Sequence, residues 1–341
     1  MDEKTRRLGW RILSISPKRL RSHGQPSSEA GDREAEVKIQ VVVNAHAGGG
    51  QGQKIFLFLE EKIKKLGFLA DCLLSFSPQE ALTTAWRARE KGVDLLVACG
   101  GDGTVHSLLP ALVNSPISLA VIPLGTANDL ARNWKIPLNL DRALTLLLKG
   151  RKATLDVIET SSGNYIAGAG GAGFDAAIVE KAQKFRRRWK GFYPFLLPVL
   201  QEFLRYRIPW VYISTENWEY HGQAWEIIFS NIPKYALFVK VAPSAKLDDG
   251  LMEICLIPDV PRLLLLAHSP QFLLHGYEGL PDTGCFKARW LTLDSIPPLL
   301  IHGDGELIGQ TPLSLRVLPR ALSIIRPAIP ATDLTIPENC F

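Results

Sequence analysis

Three glycine-rich turns, each set where an apolar run gives way to a helical pattern, constrain this chain more than any other feature. They are "VVVNAHAGGGQG" from Val41, "VDLLVACGGDGTVHSLLPAL" from Val93 and "ISLAVIPLGTANDLAR" from Ile117. Strands alternating with helices imply a parallel sheet covered on both faces. In such a sheet, ligands bind outside the carboxyl ends of the strands, and all three turns fall there. Glycines let main-chain N–H groups converge on a phosphate, and the start of the next helix adds its positive end. Asp102 cannot attract phosphate by charge, so in that reading it holds a hydroxyl or a cation carrying a nucleotide. There is no Walker A GxxxxGK, and no clean GxGxxG follows the first strand, so neither a P-loop enzyme nor a dinucleotide Rossmann site is supported.

The rest of the first half keeps the same alternation. "LADCLLSFS" reads as a strand. "SPQEALTTAWRAREKG" reads as a helix with Ser77 as N-cap, Pro78 at the first position and Gly92 past the end. "NLDRALTLLLKG" is a further helix, closed by Gly150. From about Arg151 the pattern changes to short strand-like runs such as "AWEIIFSN", "LMEICLI" and "LLIHGDGE", with helical signal near "FDAAIVEKAQKF", "YPFLLPVLQEFLRY" and "PRLLLLAHSPQFLLHG". The expected domains are a basic disordered tail over 1–36, an α/β domain over 37–150, a β-rich domain over 151–327 and an irregular tail over 328–341. A length of 341 residues suits two domains better than one core.

Net charge is +5, a weak preference for anionic partners, and five cysteines without CxxC spacing suggest a reduced, cytosolic protein with no zinc site. No apolar run reaches the roughly 18 residues of a membrane span, and the start is a poor secretory signal. The cationic and aromatic stretch Lys184–Tyr193 reads equally as a membrane-interface patch or a solvated basic face. No nucleic-acid motif accompanies it.

The ordered set "VVVNAHAGGGQG", "GGDGTV", "IPLGTANDLAR", "AGAGGAGFDAAIV", "APSAKLDDGLMEICLI" and "HGDGELIG" resembles the diacylglycerol kinase catalytic-domain family, most of all its soluble bacterial lipid kinases. The resemblance covers about Val37 to Pro327. It implies a doubly wound nucleotide-binding α/β domain followed by a β-sandwich-like domain, with the active site in the cleft between. It implies ATP as phosphoryl donor and Mg as cofactor. Gly100, Gly101, Asp102, Gly103, Thr104, Val105, His106 and Ser107 would hold the ATP phosphates. Ser75, Gly125 and Thr126 would contact nucleotide. Asp102 and Asp129 would belong to the catalytic electrostatic network, and Glu306 would be the proton acceptor. Asp249, with the backbone carbonyls of Lys246 and Leu251, would bind a structural magnesium. Read without the resemblance, Glu306 and Asp248-Asp249-Gly250 are turn acids first and site residues second.

The implied partner is a lipid at a membrane surface, reached from the cytoplasm by a peripheral protein at the inner membrane. A homodimer stays open. Four departures from the family pattern stand out: Ala45 after Asn44, His106-Ser107 after the GDGT loop, Ala236-Leu237-Phe238 after Tyr235, and Cys99 before the loop. They keep two other readings in play: a kinase of a soluble substrate resembling NAD kinase, and a catalytically silent lipid- or nucleotide-binding protein.

Overall fold

The computed structural model describes residues 37–50, 52–68, 70–186, 199, 201–236, 239–276, 280 and 282–328, with backbone alone at 184–186 and 273–274. The N-terminal tail, most of the Lys184–Tyr193 stretch, Leu237-Phe238 and the last thirteen positions lie outside the described residues. The chain forms two compact units. The first falls within Met1–Gly125, Lys135–Ala153 and Ser323–Phe341; the second takes Thr126–Trp134 and Thr154–Leu322.

In the first unit the chain runs β1 (Ile39–Asn44), α1 (Ala47–Gly50), α2 (Gly52–Lys65), β2 (Ala70–Ser75), α3 (Pro78–Glu90), β3 (Leu95–Gly100), α4 (Asp102–Leu112) and β4 (Ser118–Pro123). After α5 (Asp129–Asn133), which belongs to the second unit, it returns with α6 (Leu140–Lys149). The strands are parallel in the order β2-β1-β3-β4. Val41, Val43, Val97, Cys99, Ala120 and Ile122 pack with Leu59 and Ile63 of α2 and Leu144 and Leu147 of α6. The alternate residues Val42, Leu96, Ala98, Leu119 and Val121 are buried as well. Two covered faces explain why these strands read as unbroken apolar runs rather than as alternation. Helix α3 is capped as its residues predict: Ser77 Oγ accepts from Glu80 N at 3.2 Å, Glu80 answers by accepting from Phe76 N at 2.7 Å, and Gly92 follows at φ 64°.

The second unit is built from β5 (Arg151–Thr160), β6 (Tyr165–Ile166), β7 (Ala169–Gly173), α7 (Phe174–Arg186), β8 (Trp210–Ser214), β9 (Glu219–Ser230), β10 (Lys234–Tyr235), β11 (Val239–Lys240) and β12 (Met252–Pro258). It continues with α8 (Arg262–Ala267), α9 (Ser269–His275), β13 (Gly284–Ala288), β14 (Trp290–Ile296), β15 (Leu300–Gly303), β16 (Glu306–Gln310) and β17 (Leu313–Arg326). The first residues of β5 and the last of β17 belong to the other unit. Strand β9 serves two sheets. Its first half, Glu219–Gln223, pairs with β8; its second half, Ala224–Ser230, pairs with β7 and β12, all antiparallel. Val211, Ile213, Leu291, Leu293 and Leu315 of one layer share a core with Ile227, Phe229, Ile254 and Ile301 of the other. The residues between them on β9 and β12, Trp225, Ile228, Cys255 and Ile257, face the opposite way and pack with Tyr206, Phe174, Phe203 and Leu265. The β-rich second half is thus a sandwich with one outer face covered by helices.

The expectation of fully reduced cysteines is corrected here. Cys255 and Cys285 form a disulfide. Their separation of 30 residues carries no signal by itself; the antiparallel register of β12 and β13 sets them directly opposite each other. Cys72 and Cys99 are free, and burial pushes the Cys72 thiol up to about 12, which makes it a poor nucleophile.

Candidate active site

In the first unit, the strand order reverses between β1 and β3, the place where an open α/β sheet offers a crevice to ligands. Asn44 ends β1 and Gly100 ends β3. The Asn44 side-chain amide donates to Thr104 Oγ1 at 2.9 Å. Thr104 presses so closely on Gly100 that a Cβ there would lie 2.2 Å from the same hydroxyl oxygen. Only glycine fits. Gly100 O accepts from Leu124 N, and Leu124 O accepts from Gly48 N, both at 2.9 Å. The three glycine turns are therefore hydrogen-bonded into one rim.

Helix α4 starts from Gly101 with no side-chain cap, and Asp102, Gly103 and Thr104 form its first turn. A start of that kind can take an anion on its amides and its positive end. Thr104 and Val105 are buried, and His106 and Ser107 are half-buried. Ser107 Oγ is turned back onto Thr104 O at 2.8 Å. Ser75 stands opposite Asn44 in the register, its hydroxyl donating to Ser77 O at 2.7 Å. Gly125 closes the rim, half-buried at the end of the unit.

The remaining predicted residues belong to the second unit. Thr126 is exposed, whereas Asp129 is buried at the first position of α5. Asn133 ties this helix down by donating to Asp129 O at 2.7 Å and Lys234 O at 2.8 Å. Glu306 follows the turn Asp304-Gly305, whose φ angles are 52° and 84°. The buried Asp304 carboxylate accepts from Ala167 N at 3.0 Å and Gly168 N at 2.8 Å, so the turn is fixed at its base. Glu306 itself stays half-buried and accepts from Gln183 Nε2 of α7 at 3.2 Å. Gly168 links the two segments that carry these acids. A Cβ there would meet Leu130 Cδ2 at 2.6 Å and Asp304 Oδ1 at 2.9 Å. The residue after Asp129 and the residue two before Glu306 share one contact point.

The Lys246–Leu251 loop is organised by a residue that motif reading passed over. Buried Asp156 accepts from Gly250 N at 2.6 Å and Arg320 N at 2.7 Å. Desolvation raises its carboxyl pKa, with nearby Asp249 and Asp248 adding to the effect against those two hydrogen bonds. Asp249 spends one oxygen on Leu251 N at 3.2 Å and the other on Lys287 Nζ at 2.8 Å. A divalent cation there would have to displace an ammonium already in place. As these side chains stand, Lys246, Asp249 and Leu251 do not fit the magnesium that the family pattern implies.

A second group lies partly inside the quoted motifs, in "AGAGGAGFDAAIV" and "HGDGELIG", but was given no role there. His302 Nε2 lies 2.6 Å from Asp175 Oδ2, and Asp175 N donates to Glu226 Oε2 at 2.6 Å. Burial pushes Glu226 well above the usual carboxylate range, and the neighbouring Asp175 carboxylate adds to the rise. Burial acts the same way on Asp175, but the charge and hydrogen bond of His302 outweigh it and hold that carboxyl low. Tyr235 stacks on the His302 ring at 5.6 Å. Glu226 also stands out in the sequence as a glutamate inside the apolar strand "AWEIIFSN".

Residues 38–160 match the family described as the diacylglycerol kinase catalytic domain, and residues 168–326 match the YegS C-terminal NAD kinase beta sandwich-like domain. The chain thus pairs a diacylglycerol kinase catalytic domain with a YegS C-terminal NAD kinase beta sandwich-like domain. Among curated relatives, a diacylglycerol kinase of Mycobacterium tuberculosis is 25% identical over 85% of this chain and 95% of its own length. A probable lipid kinase YegS-like protein of Shewanella frigidimarina is 27% identical over 78% of this chain and 87% of its own. A solved diacylglycerol kinase of Bacillus anthracis shares the fold with a TM-score of 0.63 at 20% identity, covering 86% of this chain and 97% of that one. The family consists of kinases that phosphorylate an alcohol group, and this chain is an enzyme of that class.

Proposed function

We propose that this enzyme is a lipid kinase that transfers the γ-phosphoryl group of magnesium-bound ATP to the hydroxyl of a lipid such as diacylglycerol. The observation that carries the reading is Glu306, a half-buried carboxylate on a turn anchored by Asp304 and held by Gln183. In this reading Gly100–Ser107 and the start of α4 bind the phosphates, and Ser75, Gly125 and Thr126 are assigned nucleotide contacts. Asp102 and Asp129 would supply negative charge toward a magnesium ion carried by the nucleotide, which would offset charge on the phosphates. Glu306 takes the proton of the lipid hydroxyl as its oxygen bonds to the γ-phosphorus; the bond to the β–γ bridging oxygen breaks and ADP leaves. Phosphoryl transfer depends chiefly on such positioning and charge stabilisation. General-base help of this kind is worth roughly 10²–10⁴-fold. No helix among the described residues is long and apolar enough to cross a membrane, and a peripheral enzyme meeting its lipid at the membrane surface accords with that.

The test is transfer of labelled phosphate from ATP to a broad lipid panel with magnesium, for wild type and Glu306→Gln. The expected result is turnover of at least one hydroxyl-bearing lipid, with kcat falling about 100-fold or more in the variant while the KM for ATP changes little. Nucleotide binding without turnover of any lipid would sink the reading. Phosphorylation of NAD in place of lipids would move the chain to a soluble substrate.

A further inference from the structure

Helix α8, with the sequence RLLLLA, buries none of its residues fully. Only Leu265 turns inward, packing with Tyr206, Trp225 and Phe203. Leu263 is 81% exposed, Leu266 58% and Leu264 38%. A core helix does not leave three of four leucines in water, and contiguous apolar surface of this kind marks an interaction site. The neighbouring segment 204–208 adds Leu204, 64% exposed. The two segments are joined: Arg262 donates to Tyr206 O, and its guanidinium lies 5.5 Å from the Trp225 ring centroid. Between them opens a groove of about 420 Å³ lined by Leu204, Arg205, Arg207, Asp259 and Arg262 among others.

The charges around the leucines favour one partner. Arg205, Arg207 and Arg262 are all exposed. Against them stand Asp259, which lines the groove, and Glu202, which is already paired with Lys181. Three guanidiniums beside outward leucines would repel their own image in a two-fold dimer, because an isologous contact sets like charge against like. An anionic bilayer takes both: leucines enter the headgroup boundary while arginines meet lipid phosphates.

We infer that α8 and residues 204–207 form the surface by which this enzyme docks on an anionic lipid membrane. The inference rests on the lipid-kinase reading for its purpose, but the docking itself is measurable without any reaction. The full chain is sedimented with vesicles of phosphatidylcholine alone and with vesicles also carrying phosphatidylglycerol, neither holding an acceptor lipid. Wild type should bind the anionic vesicles and lose them as salt is raised. Replacing Leu263 and Leu266 together by Ser should lower partitioning at least about tenfold. Replacing Arg205 and Arg207 together by Gln should lower it about tenfold at low salt and much less at high salt. All four positions are exposed, so the thermal midpoint of each variant should stay at the wild-type value. Variants that partition like wild type overturn the inference, as does wild type that ignores anionic vesicles. Loss of a dimer in the leucine variant, seen by light scattering without any vesicle binding, reassigns the face to a second copy and overturns it too. Vesicle binding as expected with no lipid phosphorylated would leave the docking surface standing and remove the lipid-kinase reading alone.

Discussion

Glu226 is a residue whose acid chemistry is altered by the fold. Its carboxyl is raised by burial beside Asp175, so the folded state holds a proton that the unfolded chain releases near the ordinary value of 4.5. Stability from this group is therefore complete below that value and is lost as the pH climbs toward the raised folded one. Asp175, held low, works in the opposite sense: its contribution is present above 3.8 and is lost as the pH falls through its folded value. Glu226→Gln cannot ionise and keeps a donor for Asp175. Urea midpoints followed upward from about pH 5 should decline for wild type, by at most about 1.4 kcal/mol per pH unit, and decline less for the variant. Parallel curves would show that the proton on Glu226 is not a stabilising one. Such residues escape motif reading because their partners are set by the register of distant strands. Glu226 and Asp175 stand 51 positions apart, and Asp175 and His302 stand 127 apart. The glycine rim was legible for the converse reason: each turn announces itself within a few residues.

Among the elements, those with local chemistry were readable and those made by pairing were not. The caps of α3 match their sequence reading, and the apolar runs read as strands are β1, β3 and β4, each beginning or ending within two residues of the reading. Gly150 does end α6, but at φ −70° it is not there for a left-handed backbone; a Cβ would come within 2.4 Å of Ile325 Cγ2. Strand β13 has no alternation to reveal it, and it supplies both Cys285 and Lys287. The ion pair of Lys287 with Asp249 carries a prediction for the Lys246–Leu251 loop. In the absence of nucleotide, the thermal midpoint of wild type should not respond to magnesium or to a chelator. Lys287→Met should lower it, and millimolar magnesium should recover part of the loss by binding the vacated carboxylate. A wild-type midpoint that drops in chelator would return the loop to a metal.

At the scale of the molecule, the two units are not two consecutive lengths of chain. The polypeptide passes from one to the other after Gly125, Trp134, Ala153 and Leu322. Ser323 and Ile324 complete the first unit by pairing in parallel with Ser118 and Leu119 of β4, and the two serine hydroxyls meet at 3.0 Å. Ile324 is fully buried there. A chain ending at Leu322 should therefore lose amide-exchange protection in β4 and binding of a fluorescent ATP analogue, while β9 and β12 stay protected. Unchanged protection in β4 would mean that its edge needs no cover. During synthesis the same arrangement sets an order of completion. The unit made first on the ribosome waits with an open edge while some two hundred further residues emerge, and the last strand to leave the exit tunnel is the one that closes it. An unpaired edge held that long is an invitation to wrong partners. The glycine rim's sheet thus gains its last pairing only after the strands of the second unit have been made.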